Sequence, residues 1–133
     1  MADKPSHINQ WKHNRLFLAS IEPQFHDWIV TAAFYTALHA IDALLAHDNV
    51  VVTNHEGRNR ALHLTNRYEF INQKYMPLYG LARTMRYFAD PKKWVPTADV
   101  QKQVIERYLY PIEKSVQKLL GQDLALAQIV LKS

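Results

Sequence analysis

The fold is decided by the stretch QFHDWIVTAAFYTALHAIDALLA, which runs from Gln24 to Ala46. The stretch contains neither glycine nor proline, and apolar side chains cover most of its circumference at the 3.6-residue period of an α-helix. Its polar side chains fall on one arc of roughly a third of the helical wheel. The residues of that arc are Gln24, Asp27, Thr31, Tyr35, His39 and Asp42. Because so apolar a helix cannot lie on a surface, the pattern predicts the central helix of a bundle.

The rest of the chain also has the spacing of helices. Apolar residues recur every three or four positions, there are only three glycines, and no alternating strand pattern is present. We expect helices over Ser6–Ser20, Gln24–Ala46, Arg58–Lys74, Pro77–Phe88 and Ala98–Leu120, with a short helix within 123–131. The chain is therefore predicted to be a single domain, residues 1–133, with an all-α fold: an antiparallel bundle of five or six helices.

Individual residues predict details of these helices. Ser6 is expected to cap the first helix, and Pro77 to lie in the first turn of the fourth. Pro111 predicts a kink in the fifth helix, and Gly121 is its expected C-cap. The third helix is expected to bury a stripe formed by Ala61, Leu64, Tyr68, Ile71 and Tyr75. The short run Val50–Thr53 lies between helices and is interpreted as a loop.

The composition excludes several kinds of site. There is no cysteine, so disulfides, thiolate nucleophiles and cysteine-ligated zinc are excluded. Sixteen Lys and Arg against twelve Asp and Glu give a net charge of +4, a mild basic bias that is compatible with a polyanionic partner. No run approaches the roughly 20 apolar residues of a membrane span, and MADKPSHINQ at the N-terminus lacks the apolar segment of a secretory signal. We therefore expect a cytoplasmic protein with no membrane span.

One short motif suggests chemistry. Arg58, Asn59 and His63 belong to the sequence RNRALH at the start of the predicted third helix. An imidazole can take the proton from a ribose 2′-hydroxyl, because its pKa lies near neutrality. A guanidinium can hold a phosphate in a bidentate fork and stabilise the charge of the transition state. Asn59 can orient either group, so these residues are candidate catalytic residues for metal-free RNA cleavage.

The spacing of the motif favours this chemistry only in part. Positions five apart on a helix are separated by roughly 140°, so Arg58 and His63 do not share a face. Arg58 would have to reach back towards His63, lie in a non-helical entry turn, or act together with a second subunit. His63 is predicted to share a polar, basic face with Asn59, Arg60 and Arg67, opposite the apolar stripe. The alternative interpretation is a solvated helix face that carries a histidine by chance.

Three segments resemble a known family. The helix AAFYTALHAIDALLA, the loop ending in NHEGRNRAL and the segment YMPLYGLARTMRYF are similar, in this order, to the small HEPN domains of prokaryotes, over roughly Trp28–Leu120. This resemblance implies an all-helical bundle. Many members are metal-independent endoribonucleases with an Arg-polar-x-x-x-His motif, which Arg58-Asn59-x-x-x-His63 matches. In such members dimerisation joins two motifs across a cleft, and several act as toxins or in phage defence beside an antitoxin nucleotidyltransferase. The resemblance thus implies a homodimer, RNA as substrate and such an antitoxin as a partner.

Other groups of polar residues have the chemistry of a metal site or an RNA-binding surface. His39 and Asp42 lie on one helix face and His55 is in the following loop, a set that can ligate a metal. No His-Glu-x-x-His pair is present, so we predict neither a metal nor a cofactor. The basic residues that accompany aromatic ones suggest contacts with single-stranded RNA. The candidate RNA-binding residues are Arg60, Arg67, Arg83, Arg86, Lys92 and Lys93. Alternatively, Arg83 and Arg86 are solvated or pair with Glu106 and Glu113, and the neighbouring Tyr79 and Tyr87 lie at the edge of the core.

Two hypotheses follow from the sequence. The first is a dimeric, metal-independent endoribonuclease of the toxin or phage-defence type, in which Arg58 holds phosphate and His63 transfers protons. The second is a non-catalytic helical module that dimerises or binds a partner protein or a nucleotide. The two differ in whether Arg58 and His63 face a shared basic groove.

Overall fold

The computed structural model describes residues 2–87 and 97–133. This part of the chain is helical and contains no β-strand, which confirms the all-α prediction. The α-helices are α1 (Lys4–Ser20), α2 (His26–His47), α3 (His55–Leu64), α4 (Glu69–Tyr87), α5 (Thr97–Val100) and α6 (Tyr110–Leu120). A π-helix, Gln101–Leu109, joins α5 to α6, and 3-10 turns occupy Pro23–Phe25 and Asn66–Tyr68.

The central helix is α2, as its sequence predicts. It packs against α1, α4, α6 and the π-helix, and most of its side chains are buried. With the preceding turn it forms a segment, Pro23–His47, that is long and apolar enough to cross a membrane, and the mean hydropathy of its most apolar 18-residue window is 1.6. In this structure 83% of its most apolar window is buried inside the protein. Such burial is typical of the core helix of a bundle.

The first helix runs antiparallel to α2. The amine of Lys4 lies 3.2 Å from the His47 ring, and the His7 ring lies 3.1 Å from that of His39, so the start of α1 meets the end of α2. The helix begins two residues earlier than predicted because Asp3, not Ser6, is its N-cap. The Asp3 carboxylate accepts the backbone N–H of Ser6 at 2.9 Å. An N-cap carboxylate satisfies one of the free donors of the first turn.

The prediction of one helix over Arg58–Lys74 was wrong. Helix α3 ends at Leu64, the next residue is extended, and α4 begins only after the 3-10 turn. That turn is fixed by Asp48, whose carboxylate accepts two hydrogen bonds from Arg67 at 2.8 and 3.0 Å and a third from the Tyr68 hydroxyl. The break resets the helical phase, so Leu64 is 71% exposed instead of buried.

The prediction that Pro77 opens a new helix was also wrong. Pro77 lies inside α4, which runs without interruption to Tyr87. Proline removes one hydrogen bond, to the carbonyl of Gln73, but both residues lie on the exposed side of the helix, where water replaces it. The buried side chains keep one phase across the proline and stabilise a continuous helix. They are Ile71, Tyr75, Leu78, Ala82 and Met85.

The last helical segment accommodates Pro111 by widening. The backbone N–H of Tyr110 bonds to the carbonyl of Ile105, five residues back, as in a π-helix, and Pro111 follows in the first turn of α6. A widened turn just before the proline relieves the clash that proline causes inside an α-helix. Gly121 caps α6 with φ 66°, as predicted.

The short helix expected within 123–131 is absent. This tail is non-helical and packs back on the bundle, where Ile129 is buried. The side-chain amide of Gln101 donates to the carbonyl of Ile129 at 3.0 Å and accepts the N–H of Leu131 at 3.2 Å. Tertiary hydrogen bonds therefore replace the intrahelical ones that the apolar spacing predicted.

A buried ion pair connects α1 to α6. Arg15 and Glu113 are both less than 10% exposed, and the Arg15 guanidinium lies 2.5 Å from the carboxylate. The Trp11 indole N–H donates to the same carboxylate at 2.6 Å. Burial raises the pKa of Glu113, although Arg15 and Trp11 oppose that shift. Glu113 is thus paired with Arg15 of α1. The alternative that Glu113 pairs with Arg83 or Arg86 of α4 was wrong.

Candidate functional site

The N-terminus of α3 places Arg58 inside the protein. Asn54 is the N-cap, and its side-chain oxygen accepts the N–H of Gly57 at 2.8 Å. The helix therefore starts one turn before the predicted position, and Arg58 is a helical residue and not part of a loose entry turn. On this helix Arg58 and Leu62 are four residues apart and form the buried face.

Arg58 is held in a bidentate ion pair with Asp42 of α2. Its Nε lies 2.7 Å from Oδ1 and its Nη2 lies 2.9 Å from Oδ2. Arg58 is 8% exposed and Asp42 is 4% exposed. Burial alone would lower the pKa of Arg58, but Asp42 outweighs it and the pKa is raised, so the guanidinium stays charged. The group that the sequence assigned to phosphate is already neutralised by a carboxylate.

The structure does not bring Arg58 and His63 together within one chain. His63 is exposed on α3, whereas Arg58 points into the bundle, as expected for positions about 140° apart on a helix. Asn59 is partly buried, and within the described part of the chain its side-chain oxygen has no hydrogen-bond partner. Phosphate binding by Arg58 would first require it to leave Asp42. Buried pairs of this kind cost about 3–5 kcal/mol to break.

The predicted RNA-binding residues occupy several surfaces. Arg60 and Arg67 line one groove beside α3, but Arg60 pairs with Glu56 and Arg67 is held by Asp48. Arg83 is exposed on α4. Arg86 packs against aromatic rings near α2, as described below. Lys92 and Lys93 lie outside the described residues.

A cluster of four aromatic rings lies beside Arg58, which contacts one of them, His55. The rings of Phe34, Tyr75, Tyr79 and His55 lie 5.7 to 6.2 Å apart, centroid to centroid. Nδ1 of His55 accepts from Arg58 at 3.3 Å, since arginine can only donate. Burial lowers the pKa of His55, and the positive charges of Arg58 and Arg86 lower it further. The cluster therefore favours a neutral imidazole.

Arg86 closes the edge of this cluster. Its guanidinium lies 5.2 Å from the centroid of Phe34 and 5.7 Å from that of Tyr35, within the range of cation–π attraction. Its Nη1 atom is buried and has no hydrogen-bond partner among the described residues. These contacts give Arg86 a packing role in the chain as it stands. Of the two arginines expected on this basic surface, Arg83 is exposed and Arg86 is partly buried against aromatic rings.

A histidine pair joins α1 to α2 beside this cluster. The Nδ1 atoms of His7 and His39 are 3.1 Å apart, so one ring donates and the other accepts. Burial and the neighbouring His7 both lower the pKa of His39. A role for His7 was not predicted from the sequence. The available signal was the spacing of His7, Trp11, Arg15 and Leu18, which are the buried residues of α1.

An apolar groove runs between α1 and α2 on the protein surface. Its aromatic lining is Phe17, Trp28 and Tyr35, which are 52, 58 and 36% exposed. The remaining lining residues are Gln10, Asn14, Thr31, Ala32 and His39. The groove has a volume of about 400 Å³. None of the eight side chains carries a formal charge at neutral pH, in a chain with 28 acidic and basic residues. The sequence did not predict this groove. Trp28 is apolar and therefore counts toward a buried α2, although it lies next to the polar arc of that helix.

Comparisons with known proteins do not identify this chain. It matches no family model, no curated protein and no solved structure. The resemblance to HEPN domains therefore stays a prediction that rests on the quoted segments alone.

Proposed function

We propose that this chain is a non-catalytic helical interaction module that self-associates through the groove between α1 and α2. The observation that carries the proposal is the exposure of three large aromatic side chains, Phe17, Trp28 and Tyr35, along one uncharged groove. Aromatic side chains in a patch without charges are the typical composition of an interface core. Burying them against another protein removes this apolar surface from water.

The charge of the groove favours a second copy of the chain as the partner. The protein carries a net charge of +4, so two copies approach each other with less repulsion through a surface without charges than through one that carries lysine or arginine. The groove is such an uncharged surface. A polyanion would be attracted to lysine and arginine side chains, and none lines the groove.

The polar edge of the groove fits a twofold interface. Gln10 donates to Asn14 at 2.8 Å along α1, and each amide keeps further donor and acceptor capacity. In a twofold dimer the same patch meets itself, so a group that both donates and accepts can bond to its own copy. Leu16, near the end of α1, and Phe25, just before α2, are also exposed apolar side chains. A stable dimer buries about 800 Å² on each protomer, so the contact between two copies extends beyond the groove itself.

The state of Arg58 argues against ribonuclease chemistry in the single chain. Its guanidinium is occupied by Asp42 and buried, while His63 is exposed on another face of α3. Metal-free RNA cleavage needs a proton-transfer group and a charge-stabilising group at one phosphate. The groove needs no rearrangement to bind a partner, which makes self-association the better-supported function.

Sedimentation equilibrium over a range of protein concentrations tests the proposal. We expect a wild-type dimer, and we expect Trp28→Gln to raise its dissociation constant at least tenfold, since it removes a central aromatic contact. Leu64→Gln is the matched control, because Leu64 is more exposed than Trp28 but lies outside the groove. It should leave the dimer unchanged.

Two kinds of result would contradict the proposal. One is a wild-type chain that stays monomeric at every concentration, or a dimer that Trp28→Gln and Leu64→Gln affect equally. The other is RNA cleavage in EDTA that yields 2′,3′-cyclic phosphate ends and is lost in His63→Ala. That second result would restore the catalytic hypothesis and would require Arg58 to leave Asp42.

A further inference from the structure

Three side chains with metal-ligating atoms converge between α1 and α2. One potential ligand atom from each of His7, His39 and Asp42 lies within 4.8 Å of the other two. His7 and Asp42 are buried, and His39 is partly buried at the end of the groove. The set differs from the one weighed on sequence grounds, because α1 supplies His7 in place of His55.

The backbone holds these residues in place. His39 and Asp42 are three residues apart on α2 and therefore share one face. The antiparallel packing of α1 places His7 opposite them, with its Nδ1 3.1 Å from that of His39. Two nitrogen ligands of a tetrahedral zinc ion, each about 2.0–2.1 Å from the metal, lie about 3.3–3.4 Å apart. The two Nδ1 atoms are thus only slightly closer together than two zinc-bound nitrogens. If the rings move slightly apart, both Nδ1 atoms can bind one ion between them.

A hydrogen bond between the two histidines does not satisfy His7. Its Nε2 atom is buried and has no hydrogen-bond partner among the described residues, whichever ring donates. Buried polar atoms without partners are uncommon in folded proteins, so the histidine pair alone does not explain the burial of His7. An ion held by the two Nδ1 atoms leaves Nε2 as it is, and the site therefore rests on the convergence of the three ligand atoms. The unpaired atom belongs to a side chain that is only 7% exposed.

We propose that His7, His39 and Asp42 form a binding site for a divalent transition-metal ion of the zinc type. Two imidazoles and one carboxylate suit Zn²⁺, Co²⁺ or Ni²⁺, whereas Mg²⁺ and Ca²⁺ prefer oxygen ligands. With three protein ligands the fourth coordination position is left for water or another small ligand. This site lies beside the groove but does not rest on self-association.

Arg58 has a positioning role in this site. It donates to both oxygens of Asp42, and an ionised carboxylate has about four lone-pair positions, so lone pairs remain for a metal. The two hydrogen bonds fix the orientation of the carboxylate, as outer-shell partners of metal ligands do. The positive charge of Arg58 opposes a divalent ion, so we expect weaker binding than at a site with an unpaired carboxylate.

Titration of the full chain with Co²⁺, after treatment with a chelator, tests this proposal. We expect one ion per chain, with the visible absorption of four-coordinate cobalt, and displacement by Zn²⁺. His39→Gln and His7→Gln should each weaken binding at least tenfold. His13→Gln and His63→Gln are matched controls, since both histidines are exposed, and they should bind as the wild type does. Trp28→Gln should also retain binding, which separates this site from the interface.

Several results would overturn the proposal. They are the absence of Co²⁺ and Zn²⁺ binding by the wild type, unchanged binding in both His7→Gln and His39→Gln, and equal losses in the two control variants. Circular dichroism shows whether each variant is folded. If His7→Gln does not fold, NMR of the wild-type histidine rings replaces it: Zn²⁺ should shift the signals of His7 and His39, and shifts confined to other histidines would contradict the site.

Discussion

At the scale of single residues, the position of Arg58 decides between the two functions. Its hydrogen bonds to Asp42 are short and bidentate, and both partners are almost fully buried. Arginine and aspartate in such a pair stabilise each other only as long as both are present. The same pair orients a side chain of the proposed metal site. Arg58 is therefore a structural residue in the chain as described, whereas His63 is free to face solvent.

Substitution of Asp42 tests this assignment. Asp42→Asn leaves the buried guanidinium of Arg58 without a counter-charge, so we expect the free energy of unfolding to fall by about 3–5 kcal/mol. Urea unfolding in EDTA measures it without a contribution from metal. Glu56→Gln removes the exposed partner of Arg60 and should change stability little. Equal, small effects of the two substitutions would show that Arg58 is not held by Asp42.

The histidines near Arg58 make stability depend on pH. The pKa values of His39 and His55 are lowered in the folded chain, chiefly by burial. A group with a lowered folded pKa contributes stability that is fully present above its unfolded pKa of about 6.5 and is lost as the pH falls through the folded value. Melting temperatures should therefore decrease between about pH 7 and pH 5. In His55→Gln the decrease should be smaller, and an identical pH profile in that variant would contradict the role of His55.

At the scale of elements, the end of α3 shows that apolar periodicity does not predict where a helix stops. Residues Ala61 to Tyr75 fit one helical stripe, yet the helix stops at Leu64 because Asp48, far away in sequence, binds Arg67 and Tyr68. Tertiary hydrogen bonds of this kind override local spacing. Pro77 shows the opposite case: a residue that usually starts a helix stays inside one, because the buried stripe keeps its phase across it.

Two substitutions distinguish the broken helix from a continuous one. Leu64→Ala should change the free energy of unfolding by less than about 0.5 kcal/mol, because Leu64 faces solvent. Tyr68→Phe removes the hydroxyl that Asp48 accepts, and it should cost about 1–3 kcal/mol. Burial and the same hydrogen bond raise the pKa of the Tyr68 hydroxyl to about 12, so this variant should also lose one late step of tyrosine ionisation. A large cost for Leu64→Ala would favour the continuous helix instead.

At the scale of the whole molecule, the sequence predicted the helical architecture, but it did not predict the contacts and grooves that form between helices. The apolar character of α2 is a property of one stretch, so the central helix and the all-α class were predictable. The Arg58–Asp42 pair and the α1–α2 groove depend on which helices become neighbours, and spacing within one helix carries no such information. His7 illustrates the limit: its role appears only once α1 lies antiparallel to α2.

The most direct test of the central claim is to locate the contact between two copies. The chain has no cysteine, so Asn14→Cys places one unique thiol in the groove and Val51→Cys places one on an exposed loop outside it. With a short thiol-specific cross-linker we predict covalent dimers of Asn14→Cys at concentrations at which Val51→Cys remains monomeric. Equal cross-linking of the two variants, or none in Asn14→Cys while the protein sediments as a dimer, would contradict self-association through the α1–α2 groove.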